Sequence, residues 1–186
     1  PSALTVSNGW LRLPSAGFRL TVTNDIAVRG TNANLHALQL VDPVISCGGA
    51  VRLDSASLHL FSTGGTNAAV LHCAGNLTLT NGSRLHVYAG QTNPLTTNYG
   101  ALVSVGGDMT LDTNSWVYPY SHSTNGGSAR FEMRQLILAT PNCGFNADGR
   151  GFRGAPTTAK GYGPGGGWAG GNYGAGYGGR GGGAGG

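Results

Sequence analysis

The sequence indicates an all-β protein, a right-handed parallel β-helix (β-solenoid) of about five to six three-strand coils followed by a Gly-rich non-regular segment. Two observations support this prediction. Short runs of alternating apolar and polar residues, typical of strands, are separated by turn residues, and no helical periodicity is present. The group of three runs then recurs every 25 to 32 residues. Right-handedness follows from the usual crossover between parallel strands.

The repeat is clearest between residues 70 and 88. Its inward residues form three pairs, each with one residue between its members: Leu71/Cys73, Leu77/Leu79 and Leu85/Val87. Ala74-Gly75 and Thr80-Asn81-Gly82-Ser83 separate the pairs and suit tight turns, because Gly and Asn tolerate positive φ. The pattern predicts three strands joined by two corners, with Thr78 and His86 on the outer face.

Matching these pairs along the chain places the other repeats. The chain begins inside a coil whose first strand is missing, with the inward pairs Leu4/Val6 and Leu11/Leu13. The first pairs of the later coils start at Leu20, Ile45, Leu71, Val103 and Phe131, and these advance by 25, 26, 32 and 28 residues. The second pairs start at Ile26, Val51, Leu77, Met109 and Leu136. The third pairs are Leu35/Ala37, Leu58/Leu60, Leu85/Val87, Val117/Pro119 and Cys143/Phe145.

The variation in repeat length is concentrated at one corner. Insertions at 63–68, 89–100 and 121–128 are polar, as expected of surface loops. The corner between the first and second strands is nearly constant: Asn24-Asp25, Gly48-Gly49, Ala74-Gly75 and Gly106-Gly107. This agreement supports the predicted register.

Three stretches, AVRLDSASLHL, NLTLTNGSRLHV and DMTLDTNSWVY, resemble the coils of bacterial secreted β-helix proteins such as autotransporter passengers and filamentous-haemagglutinin-type adhesins. The resemblance covers residues 1–150 and implies the right-handed β-helix architecture. The same scaffold carries adhesins, tailspikes and polysaccharide lyases, so the resemblance leaves function open.

Two segments are predicted: a β-helix domain over 1–150 and a Gly-rich tail or packing segment over 151–186. From Gly161 to Gly186, 16 of 26 residues are Gly, punctuated by Tyr and Trp. We expect these aromatic residues to anchor the tail against the stack or against a neighbouring subunit.

Composition suggests the setting of the protein. Only 10% of residues are charged, and Asn, Thr and Ser are abundant, which favours an extracellular or cell-surface location. No basic run or aromatic-interleaved basic patch points to nucleic-acid binding. No apolar stretch approaches the roughly 20 residues of a membrane span. The chain opens at Pro1 without a signal peptide, so we expect a mature or excised piece.

Cys47 and Cys73 share one inward position in adjacent coils. They are interpreted either as buried thiols or as a coil-to-coil disulfide, since stacked residues lie near the roughly 5.5 Å Cα separation that a bridge prefers. Cys143 has no evident partner. The three cysteines predict neither a disulfide framework nor a zinc site.

His36, His59 and His86 occupy the outward middle position of the third strand in successive coils, between Arg12 and Tyr118. We interpret this column either as a metal-binding or pH-responsive site, or as polar side chains that stack without a further role. No nearby carboxylate orients the rings, so no metal-binding, cofactor-binding or catalytic residue is assigned and no cofactor is expected.

An enzyme of the β-helix lyase or glycosidase class needs acids clustered on one face. Asp54 and Asp112 share a position, but Thr80 lies between them. The remaining acids do not align: Asp25, Asp42, Asp108, Glu132 and Asp148. We therefore expect a protein that is not an enzyme, with the lyase or glycosidase as an alternative.

The sequence favours a structural subunit or segment of an extracellular filament or cell-surface assembly. Uncapped β-helix ends expose unpaired strand edges, so we expect self-association into a head-to-tail homopolymer. The alternative is a segment of an adhesin passenger that binds host or glycan surfaces, with a cell-surface glycan as partner.

Overall fold

The protein is built from parallel β-strands in two sheets. The computed structural model describes residues 1–12, 18–37, 43–63, 68–92, 99–153 and 162, with the backbone alone for 32–37. Fifteen strands and no helix lie within these residues, so none of them forms a helix that could cross a membrane. Most of the predicted tail, 151–186, lies outside the described residues.

The smaller sheet contains the first strand of each repeat. Its five strands lie in the order β13 (Ala129–Glu132), β10 (Ala101–Val105), β7 (Ala69–Cys73), β5 (Val44–Cys47) and β3 (Arg19–Val22). All are parallel, and one inward column runs through Leu20, Ile45, Leu71, Val103 and Phe131. This column confirms the register predicted for the first strands.

The larger, ten-stranded sheet contains the second and third strands. The second strands are β1 (Leu4–Ser7), β8 (Leu77–Thr80), β11 (Asp108–Leu111) and β14 (Gln135–Leu138). The third strands are β2 (Trp10–Arg12), β9 (Arg84–Tyr88), β12 (Trp116–Tyr120) and β15 (Gly144–Phe145). In two repeats a single long strand serves both roles, β4 (Ile26–Ala37) and β6 (Val51–Phe61).

A corner was predicted between the second and third strands of every repeat, but β4 and β6 continue through it as single strands. The chain still turns there: Gly30 has φ 105° in β4 and Ser55 has φ 52° in β6. One residue in a left-handed conformation bends the chain while the strand pairing continues on both sides. The register shift in β4 between Arg29 and Ala33 marks the same corner.

The predicted register of the second strands is confirmed, because Leu4, Ile26, Val51, Leu77, Met109 and Leu136 form one parallel column. The predicted register of the third strands is likewise confirmed by one column, which runs through Leu11, Leu35, Leu58, Leu85 and Val117.

The register of the third strand in the last repeat was predicted wrongly. Val117 pairs with Phe145, so Phe145 and not Cys143 continues the third column. Cys143 lies at the corner below Ser115, where it is buried and its thiol donates to Thr140 O at 3.0 Å and to Leu111 O at 3.2 Å. The corner buries small residues in successive repeats, and alternation alone did not separate them from strand residues.

The core is a stack of apolar columns between the sheets. Ile45, Leu53, Leu71, Leu79 and Leu85 are at most 1% exposed. Burial decreases toward both ends of the described stack, where partly buried side chains pack on the core: Leu4, Leu11, Leu20, Phe131 and Met133.

The corners also stack on one another. Asp25 Oδ1 accepts a hydrogen bond from Ala50 N at 2.7 Å, and Asn76 Oδ1 accepts one from Asp108 N at 2.9 Å. Each side chain accepts a hydrogen bond from a backbone N–H of the next repeat. This N–H lies at a corner, outside the strand pairing, and would otherwise be left to bond to solvent.

The insertions pack together in the same way. Thr92 N donates to Asn125 Oδ1 and Asn125 Nδ2 donates to Thr92 O, both at 2.8 Å, joining the loops of neighbouring repeats. Gly127 lies so close to Gly90 that a Cβ at position 127 would stand 2.0 Å from Gly90 O.

Candidate functional site

The most distinctive surface of the described chain is the outer face of β6, β9 and β12. Because side chains alternate along a strand, three residues of each strand point outward there. These nine residues, which we call the aromatic face, are Ser57, His59, Phe61, Arg84, His86, Tyr88, Trp116, Tyr118 and Tyr120. None of them is acidic.

Six rings of this face form two stacked columns. Register pairing aligns His59, His86 and Tyr118 in one column, and Phe61, Tyr88 and Tyr120 in the other. Strands in a sheet are about 4.8 Å apart, so outward rings at one register position are held at stacking distance.

The ring geometry is close to parallel. In the first column the ring centroids are 4.4 Å apart for His59 and His86, with planes 4° apart, and 4.8 Å apart for His86 and Tyr118. In the second column Tyr88 lies 4.3 Å from Phe61 and 4.2 Å from Tyr120. The ring faces therefore cover one another, and the ring edges point away from the sheet.

Arg150 covers the far end of both columns. Its guanidinium lies 4.6 Å from the Tyr118 ring centroid and 4.9 Å from that of Tyr120, a cation–π arrangement. Nη1 of Arg150 donates to Asn146 Oδ1 at 2.6 Å and to Asp148 O at 2.7 Å, which fixes the side chain over the rings.

The hydroxyl of Tyr88 remains protonated near neutral pH. Burial, and then the neighbouring Tyr120, raise the pKa of Tyr88 to about 12. The hydroxyl of Tyr120 lies 3.4 Å from His86 Nδ1. Tyr88 is thus a hydrogen-bond donor and not an anion.

The predicted histidine column is present in the backbone register, which pairs Arg12 with His36, His36 with His59, and His59 with His86. The side chain of His36 lies outside the described part of the structure. Parallel stacking aims the ring nitrogens of His59 and His86 side by side instead of at a common point. No group of three His, Cys, Asp or Glu side chains that could hold a metal occurs among the described residues.

Sequence reasoning missed the second column and Arg150. Phe61, Tyr88 and Tyr120 occupy the same position of the third strand, two residues after the histidine position, so the aligned repeats contained the signal. Arg150 had no comparable signal, because it follows the last strand and reaches the rings only through the fold.

A polar cleft of about 250 Å³ adjoins the aromatic face. It shares Ser57 and Arg84 with that face, and its other lining residues are Thr31, Ser55, Ala56, Asn81 and Gly82. Asn81 Nδ2 donates to Asp54 Oδ1 at 2.7 Å, which orients the amide at the cleft. Hydroxyl and amide groups around one arginine can bind a polar or anionic ligand.

The three cysteines are buried free thiols. Cys47 and Cys73 are register partners, as predicted, and their thiols donate to Asn24 O at 3.0 Å and to Gly49 O at 3.3 Å. Burial raises the pKa of Cys73 to about 11, so the thiol is a poor nucleophile at neutral pH.

Three of the six described acidic residues form ion pairs between or within repeats. Asp25 binds Arg52, and Asp108 binds Arg134 at 2.8 Å. Glu132 binds Arg130 on its own strand at 2.8 Å. Asp54 pairs in register with Thr80, as predicted, whereas Asp42 lies outside the described residues.

Comparison of the chain with protein-family models, curated proteins and solved structures found no match.

Proposed function

We propose that the strands form a right-handed parallel β-helix. Support comes from the register columns, in which every pairing joins a strand to its equivalent about one repeat further along the chain. Three sets of strands related in this way are what a coil of three strands requires.

We further propose that this β-helix is a structural subunit or segment of an extracellular filament or cell-surface assembly, without catalytic activity, that associates through the ends of its stack. The observation that carries this proposal is the apolar last repeat. Leu136 is 42% exposed, Leu138 52% and Phe145 37%, although equivalent residues of the central repeats are fully buried. Exposed large apolar side chains clustered in one place mark an interaction surface.

The occupant we propose for this surface is a second copy of the chain. Leu136 continues the column that begins at Leu4, so β1 of another copy offers the same alternation and strand direction as the next strand in that column. Within the described residues β14 pairs only with β11, and its other edge is available for a parallel strand. A head-to-tail contact of this kind repeats without closing and yields a fibre.

The extracellular setting is part of the proposal. It rests on the low charge content, 10%, and on the abundance of Asn, Thr and Ser in the sequence. The proposed lack of catalysis is supported by the ion pairs of Asp25 and Asp108, which occupy carboxylates that a hydrolytic site would need free.

Sedimentation and electron microscopy of the purified chain test this proposal. We expect concentration-dependent polymers with an axial repeat that is a multiple of about 4.8 Å. Leu138→Lys should shift the chain to monomers, because it places a charge in the joint. Thr78→Lys, which adds the same charge to the outer face in mid-stack, should leave assembly unchanged. A wild-type chain that stays monomeric at high concentration, or equal assembly of both variants, would contradict the proposed joint.

A further inference from the structure

We propose that the aromatic face, together with the adjoining cleft, binds an acidic polysaccharide. This binding surface is on the outer side of the stack, whereas the proposed joint is at its end, and polysaccharide binding there does not require self-association.

The stacked rings of the aromatic face favour an anionic ligand. Their planes lie 2° to 16° apart between register partners, so their faces are used in stacking and only their edges are offered to a ligand. The edge of an aromatic ring is the positive part of its quadrupole. Two columns of ring edges therefore favour an anionic oxygen over a cation or an apolar partner.

Two arginines add positive charge to the aromatic face. Arg84 borders the face on the cleft side and Arg150 covers its opposite end. None of the nine outward residues of the aromatic face is a carboxylate. Asp54 accepts a hydrogen bond from Asn81, and the backbone carbonyl of Asp148 accepts one from Arg150. Charge complementarity thus selects an acidic partner.

The size and shape of the aromatic face suit a polymer. Three strands span about 10 Å across the sheet, and residues i to i+4 span about 13 Å along a strand. This flat area exceeds a single small anion and suits a segment of a polymer. The hydroxyls of Thr31, Ser55 and Ser57 in the cleft match sugar hydroxyls, which favours a polysaccharide over a polyanion without hydroxyl groups.

The test measures binding of the full chain to three polymers with one backbone: dextran, carboxymethyl dextran and dextran sulfate. We expect at least one charged dextran to bind about tenfold or more tightly than dextran, with an affinity that falls as salt rises. Arg84→Gln and Arg150→Gln should each weaken that binding about threefold to tenfold. Arg19→Gln removes the same charge from the other sheet and should leave it unchanged. Circular dichroism verifies that each variant is folded.

Equal binding of all three dextrans, or the same loss in all three arginine variants, would overturn the proposal. Binding of polyglutamate or a DNA oligonucleotide as tightly as the charged dextrans would also overturn it, because the surface would then recognise negative charge alone. Leu138→Lys should retain polysaccharide binding, so failure of the joint and failure of this surface give different results.

Discussion

Gly127 shows how closely neighbouring repeats approach. A Cβ at this position would stand 2.0 Å from Gly90 O and 3.2 Å from Thr92 N, both backbone atoms. We expect Gly127→Ala to lower the free energy of unfolding by about 1–3 kcal/mol, because the two loops must separate. Chemical denaturation measures this change.

The matched control is Gly151→Ala, since nothing lies within 4 Å of a Cβ built there. Its stability should equal that of the wild type or slightly exceed it. Equal effects of the two substitutions would show that the loops do not pack as described.

Asp25 gives the fold a defined response to acid. The hydrogen bond from Ala50 N, and then the Arg52 side chain, lower the pKa of Asp25 below its usual value. A carboxyl with a lowered pKa stabilises the fold above its unfolded pKa of about 3.9, and this contribution is lost as the pH falls through the folded value. Stability should therefore decrease below about pH 4.

Denaturant titrations between pH 2 and 7 test this expectation. Asp25→Asn should show a smaller loss of stability in acid than the wild type, whereas Asp148→Asn, an exposed position, should follow the wild-type curve. An acid response of Asp25→Asn identical to that of the wild type would exclude Asp25 as a contributor.

At the scale of strands, the aromatic columns add stability to β6, β9 and β12. Tyr88 stacks on Phe61 and Tyr120 at once, and each aromatic pair is worth about 0.5–1.5 kcal/mol. Tyr88→Leu should therefore cost about 1–3 kcal/mol in thermal or chemical unfolding. His72→Leu on the exposed outer face of β7 is the control, and a similar loss there would mean that the stacking contributes nothing.

The register of β8 can be tested by charge on opposite faces. Leu79→Asp buries an unpaired carboxylate in an apolar column, and we expect loss of the folded state by circular dichroism. Thr78→Asp places the same group on the outer face and should be tolerated. Equal behaviour of the two variants would contradict the register, and unfolding by Thr78→Asp with tolerance of Leu79→Asp would mean that the two faces are exchanged.

Inward columns could be predicted from sequence because burial imposes a period of two on each strand. Leu71, Leu77 and Leu85 follow that rule, and the structure confirms their partners in neighbouring repeats. Cys143 breaks it, since a small residue at a corner is buried without being part of a strand. The histidine column of the aromatic face was predicted from the aligned repeats, and the second column was missed although the same alignment contained it. Arg150 could not be predicted, because it reaches the face from outside the strands.

At the scale of the whole molecule, each repeat contacts its neighbours through parallel pairing, and one apolar core runs along the stack. In such a stack the free energy of unfolding is close to a sum of contributions from each repeat and from each interface between repeats. The end repeats should therefore be the least protected against local unfolding. The exposed Leu136 and Leu138 agree with this gradient.

The central claim is that the repeats stack in register, and electron paramagnetic resonance distances test it most directly. Spin labels on Ile137 paired with labels at Arg52, Ala27 or Thr5, in a chain with its native cysteines replaced by alanine, follow one outward column. The account predicts backbone separations of about 14, 19 and 24 Å, rising by about 4.8 Å per repeat. Distances that do not increase in this order and by even steps would contradict the stacked architecture.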